Sequence, residues 1–87
     1  MLKVGIIGYG KMGQTRARAI SASGVAFVKS IWDVNTPTGS DYGIASSDQA
    51  ILGDPELDAV FVCTPNFRIV SLTVAALRAG KHVFAEK

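Results

Sequence analysis

Short apolar runs alternate along this chain with longer amphipathic ones. Leu2 to Ile7 is an apolar run with a single charge, Lys3, and reads as a buried strand. Lys11 to Ser23 predicts a helix that Gly24 stops. Val25 to Trp32 is rich in β-branched and aromatic residues and predicts a second strand. Asp33 to Gly43 holds Pro37, Gly39, Ser40 and Asp41, the composition of a loop. Ser46 to Gln49 fits a capping box that opens a short helix through Leu52, with Gly53 as its end. Asp54-Pro55 leads into a strand from Asp58 to Cys63. Asn66 begins a further helix, on which Val70, Val74 and Leu77 share one face at i, i+4, i+7 spacing. Gly80 stops it, and His82 to Ala85 forms a last strand. Strands alternating with helices imply a parallel sheet with crossover connections, a doubly wound α/β domain over residues 1–87.

The first strand runs directly into Gly8-Tyr9-Gly10-Lys11-Met12-Gly13, and twenty residues beyond Gly13 stands Asp33, at the end of the second strand. This is a Rossmann-like arrangement suited to a dinucleotide. Gly8 allows the tight turn, Gly10 lets a pyrophosphate approach the backbone, and Gly13 lets the helix pack on the strand. The helix start offers unpaired N–H groups and a positive dipole end to phosphates. Asp33 falls where a carboxylate accepts the hydroxyls of the adenosine ribose. The alternative is that Asp33 caps a turn. A carboxylate there repels the 2′-phosphate of NADP, and Val34, Asn35 and Thr36 follow it rather than an arginine, so NAD is favoured and NADP disfavoured. Lys11 complicates that choice, since it either reaches a phosphate or stays in solvent. Tyr9 either flanks the cofactor or packs. S-adenosylmethionine enzymes also combine a glycine loop with an acid ending strand two; the full GxGxxG argues for a pyrophosphate.

Composition narrows the classes. Eighty-seven residues, 48% of them hydrophobic, make one small globular domain. The net charge is only +2, and the nine Lys and Arg residues are scattered, so neither a nucleic-acid nor an anionic-membrane surface is expected. The single cysteine, Cys63, excludes an internal disulfide framework and reads as a buried core thiol. No charged n-region and long apolar h-region precede the first strand, and no uncharged stretch is long enough for a bilayer, so a cytoplasmic protein is expected. No metal site is expected.

Two further segments fall at the carboxyl ends of strands, where ligands of doubly wound sheets sit. Thr64-Pro65-Asn66 follows the strand that ends at Cys63. It either lines the nicotinamide half of a site or is an ordinary turn and helix cap. Glu86-Lys87 ends the last strand. There Glu86 is placed to bond ribose hydroxyls and Lys87 to donate a proton, though composition alone favours a solvated charged pair.

Taken together these segments resemble the glucose-fructose oxidoreductase / inositol dehydrogenase family, Gfo/Idh/MocA. The matching pieces are Lys3 to Gly13, Asp54 to Val60 leading to Cys63-Thr64-Pro65-Asn66, and Ala75 to Phe84 with Glu86-Lys87. The resemblance covers nearly the whole chain, and the run Ala79-Gly80-Lys81-His82-Val83 into Glu86-Lys87 is more specific than the glycine motif alone. It implies an NAD(P)-dependent oxidoreductase acting on a sugar, a cyclitol or a related polyol. It assigns Glu86 to holding the nicotinamide ribose, Lys87 to assisting catalysis, and Thr64 to Asn66 to bordering the nicotinamide. Three departures stand out. A second domain carrying the substrate pocket and its acid/base groups would follow, and is not in this sequence. Ile69 stands where the family often has a histidine. The helix usual after strand two is replaced by the loop Val34 to Gly43. An open sheet edge and one exposed apolar face are therefore expected, and with them a homo-oligomer. The expected role is to bind NAD without turnover by this piece alone; the alternative is a stand-alone nucleotide-binding module.

Overall fold

The computed structural model describes residues 1–85. The chain runs β1 (Leu2–Ile7), α1 (Lys11–Ala22), β2 (Ala26–Trp32), β3 (Gly43–Ile44), α2 (Asp48–Leu52), β4 (Ala59–Val62), α3 (Asn66–Arg78) and β5 (His82–Ala85). All strands are parallel, in the order β3-β2-β1-β4-β5. The chain first moves outward from β1 to β3, then returns to the other side of β1. The strand order therefore reverses between β1 and β4, at the carboxyl ends of which a crevice opens.

Alternation along β1 divides the core in two. Val4 and Ile6 join Ala17 and Ile20 of α1 with Val28 and Ile31 of β2 on one face. Ile7 joins Ile51 and Leu52 of α2, Val60 and Val62 of β4, and Leu72 and Ala76 of α3 on the other. A strand covered on both faces has no polar side to show, which is why β1 reads as one apolar run.

Two local expectations are corrected, and the shared face of α3 is given its direction. The segment read as loop through Gly43 ends in β3, where Gly43 and Ile44 pair with Ser30 and Ile31. The cap of α2 is Ser47, not Ser46: Ser47 Oγ accepts from the Ala50 amide at 3.1 Å. Two adjacent serines offer the same hydroxyl, and the later one has the extended backbone of an N-cap, so the return bond of a capping box is not available to Gln49. The Val70, Val74, Leu77 face of α3 points to solvent, extended by Phe67 at 84% exposed, while Ile69, Leu72 and Ala76 face the sheet. The expected exposed apolar surface is thus present. A separate exposed apolar spot lies on the other face of the sheet, the α1 side, at the β5 edge, where Phe84, 61% exposed, stacks on Phe61 at 4.8 Å.

The amino ends of the strands carry a charge network. Lys29 Nζ reaches Asp54 Oδ2 at 2.7 Å and Glu56 Oε1 at 3.1 Å, and Lys3 Nζ lies 3.6 Å from Glu56. The Lys29 ammonium holds the Asp54 and Glu56 carboxyls below their ordinary range, and their hydrogen bonds raise Lys29. Lys81, only 7% exposed, donates to the carbonyls of Asp54 at 2.6 Å and Leu57 at 3.4 Å. It pins the turn that feeds β4.

Candidate functional site

Gly8 follows β1 with φ +96°, and a Cβ there would lie 2.5 Å from the Cys63 carbonyl oxygen. Only glycine lets the turn pass so close to the end of β4. A Cβ on Gly13 would strike the Gly8 carbonyl, so that glycine sets the close seat of α1 on the turn. Around Gly10 the outcome is opposite: an added Cβ would meet nothing within 4 Å. The three glycines therefore have separate duties, and Gly10 is the one whose missing side chain leaves open space.

Gly10 is also the N-cap of α1, and no side chain caps that helix. Its first turn contains no acidic residue. The free amides and positive dipole end at Lys11, Met12 and Gly13 are left for an external acceptor. Lys11 and Met12 are exposed beside them, and Gly13 is buried. Helix α3 likewise opens at Pro65 without a side-chain cap or an acidic first turn. The short α2, by contrast, has both Ser47 as cap and Asp48 in its first turn.

Asp33 follows β2 directly. Its Oδ2 accepts from the Tyr9 amide at 2.6 Å and its Oδ1 from the Asn35 amide at 2.9 Å. The carboxylate thus caps its own turn and also ties the end of β2 to the glycine turn. Each oxygen retains acceptor capacity after one such bond. The Tyr9 side chain packs against the core on the α1 face.

These parts meet at one cleft of about 400 Å³. Its walls are Gly8 and Gly10 from the turn, Trp32 to Asn35 from the end of β2, Cys63 to Pro65 from the end of β4, and Phe67 and Arg68 from α3. Cys63 is half-buried on this wall rather than sealed in the core. Thr64 Oγ1 is a buried oxygen without a hydrogen-bond partner, which an incoming polar group would satisfy. A second hollow of about 260 Å³ is lined by Tyr9, Gln14 and residues 36–40.

Nothing in the sequence marks Arg68 as a cleft residue. Its guanidinium sits 5.9 Å above the Trp32 ring and pairs with Asp48 Oδ2 at 2.6 Å. Residue 68 is 35 positions from Asp33, so only the sheet topology brings them to one cleft. Asn66 starts α3, beside the cleft residues Pro65 and Phe67. Glu86 and Lys87 lie outside the described residues. No helix among the described residues is long and apolar enough to cross a membrane.

The sheet order, the glycine turn and the acid ending β2 define the class: a Rossmann-like α/β domain. Residues 2–87 match the family described as "Oxidoreductase family, NAD-binding Rossmann fold", Gfo/Idh/MocA, and the chain belongs to it. It is 32% identical to galactose 1-dehydrogenase from Pseudomonas fluorescens over 87 residues, which cover 99% of this chain and 29% of that protein. Among solved structures it superimposes on an NAD-binding protein from Listeria innocua with a TM-score of 0.92 at 34% identity, over 99% of this chain and 27% of that one. Biliverdin reductase from Synechocystis sp. PCC 6803, solved with biliverdin and NADP+, gives 0.91 at 35% identity, over 99% and 29%. The chain spans between a quarter and a third of the length of these relatives.

Proposed function

We propose that this chain is the cofactor-binding part of a longer NAD-dependent oxidoreductase that moves hydride between nicotinamide and a sugar, cyclitol or related polyol. The observation that carries the cofactor half is the Asp33–Tyr9 bond at 2.6 Å, which sets a carboxylate at the rim of the glycine turn and its cleft. Gly10, with open space at its Cβ, would admit a pyrophosphate, and the amides of Lys11, Met12 and Gly13 would receive it. The Asp33 carboxylate would accept ribose hydroxyls, with Tyr9 bracing it from the turn. Thr64, Pro65 and Asn66 would border the nicotinamide, Thr64 through its unpartnered hydroxyl. When bound, the cofactor supplies the hydride chemistry; the protein supplies position and electrostatics.

By the family resemblance, Glu86 would hold the nicotinamide ribose and Lys87 would serve the transferred proton. A second domain would supply the substrate pocket. The sugar or polyol substrate is supported by relatives such as galactose 1-dehydrogenase. The reading includes a cytoplasmic homo-oligomer.

The test is calorimetric titration of the chain with NAD, beside Asp33→Ala and Asp33→Asn. Asp33→Ala should weaken NAD roughly tenfold or more, as loss of a charged acceptor does, and Asp33→Asn less. Unchanged affinity in Asp33→Ala, or no NAD binding by the parent chain, would overturn the assignment. An intact mass of the native protein well above 9.2 kDa would support the longer parent.

A further inference from the structure

We infer that Asp48 is a determinant of cofactor choice, because its hold on Arg68 keeps a guanidinium in the cleft from receiving a 2′-phosphate. The inference rests on the dinucleotide reading of that cleft. A carboxylate after β2 is the feature that disfavours NADP, yet an arginine lines the same cleft as Asp33, delivered by the first turn of α3. An arginine so placed would by its chemistry favour a phosphate, since its planar fork matches phosphate oxygens two at a time.

The structure shows what holds one arm of that fork and draws its charge aside. Asp48, at the start of α2, accepts from the Arg68 guanidinium at 2.6 Å, and both side chains are no more than one-third exposed. Trp32 lies under the guanidinium plane at 5.9 Å. The pair leaves Asp33 as the charged residue of the described lining without an ion pair. Distance does not protect the site from this arrangement. A cleft of about 400 Å³ is of the order of one Debye length, roughly 8 Å, across, so a guanidinium released from its partner would be felt throughout it. Paired, it presents a dipole whose field falls away faster. Asp48 therefore acts as a positioning residue: it touches Arg68, and through it sets which adenosine ribose the cleft prefers.

Two probes isolate the effect, adenosine 5′-monophosphate and adenosine 2′,5′-bisphosphate, which differ only at the 2′ position. Binding of each to the chain is measured by calorimetry and by emission of Trp32, the sole tryptophan. Wild type should prefer the monophosphate. Asp48→Asn keeps the side-chain size and the oxygen that accepts from the Gln49 amide, and should shift the affinity ratio toward the bisphosphate by about tenfold. Asp48→Glu should keep the wild-type ratio. Arg68→Gln added to Asp48→Asn should abolish the gain. A ratio unmoved by Asp48→Asn while the monophosphate still binds would overturn the inference alone. So would a gain that survives Arg68→Gln, which would move the phosphate to the hydroxyl-rich hollow of residues 36–40. Failure of wild type to bind either nucleotide would remove the dinucleotide reading, and this inference with it.

Discussion

The two ends of the sheet are built on opposite plans. At the amino ends of the strands the charges answer one another: Lys29 with Asp54 and Glu56, Lys81 with two carbonyls, and the Lys3 amide with Asp58 Oδ2 at 2.8 Å. At the carboxyl ends, α1 and α3 begin without side-chain caps and Thr64 Oγ1 is unpartnered. The first end is complete by itself. The second leaves donors and an oxygen waiting for a group from outside. Folding tolerates such an end where a rigid frame surrounds it, and the closed end supplies part of that frame.

Substitutions at each end should separate the two plans. The largest effect is expected from Gly8→Ala, which combines a positive φ with a clash against the Cys63 carbonyl. It should cost about 3 kcal/mol in urea unfolding, and a loss under about 1 kcal/mol would show that the turn relaxes. Next is Lys81→Met at the closed end. It removes the ammonium from two carbonyls, of which that of Asp54 keeps the Leu57 amide, and should cost about 1–2 kcal/mol, with little effect on NAD affinity. Weakened NAD binding in that variant would mean that the ends are coupled. Gly10→Ala inverts this pattern. Its Cβ meets nothing, so stability should fall by less than about 1 kcal/mol while NAD affinity, read by calorimetry, drops at least tenfold.

The smallest effect concerns pH. Asp54 and Glu56 have lowered folded values, so their contribution is present above the ordinary carboxylate range, about pH 4, and is lost as pH falls through the lowered values. Lys29 has a raised value, so its contribution holds below its ordinary range and is lost as pH climbs through the raised one. Asp54→Asn should flatten the acid limb of a stability–pH curve, at a cost of about 0.5 kcal/mol near neutrality, since such partly exposed pairs contribute little. An unchanged acid limb would shift the acid sensitivity to other carboxylates.

Much of this architecture is legible in the residues. Strand β1 and helix α1 follow from an apolar run, a glycine turn and a stop, each carrying its own local signal. What escapes is what depends on distant partners. Strand β3 is two residues long and exists because Ser30 and Ile31 offer a ladder. Helix α3 is apolar on two sides, Ile69, Leu72 and Ala76 on one and Phe67, Val70, Val74 and Leu77 on the other, so periodicity could not tell which meets the sheet. The glycine turn and Asp33 announce themselves by spacing. Arg68 does not, because nothing near it in the chain marks it as a neighbour of Trp32.

The outer strands differ in a way that bears on solubility. Strand β3 has two residues, both exposed, and offers an approaching chain almost no backbone to grip. Strand β5 offers four, beside an aromatic stack with Phe84 facing water. Accretion of one molecule onto another through the backbone therefore has a preferred direction, starting at β5. For the 87-residue piece taken by itself in concentrated solution the first contacts should be made there, and Phe84→Lys is the simplest way to discourage them.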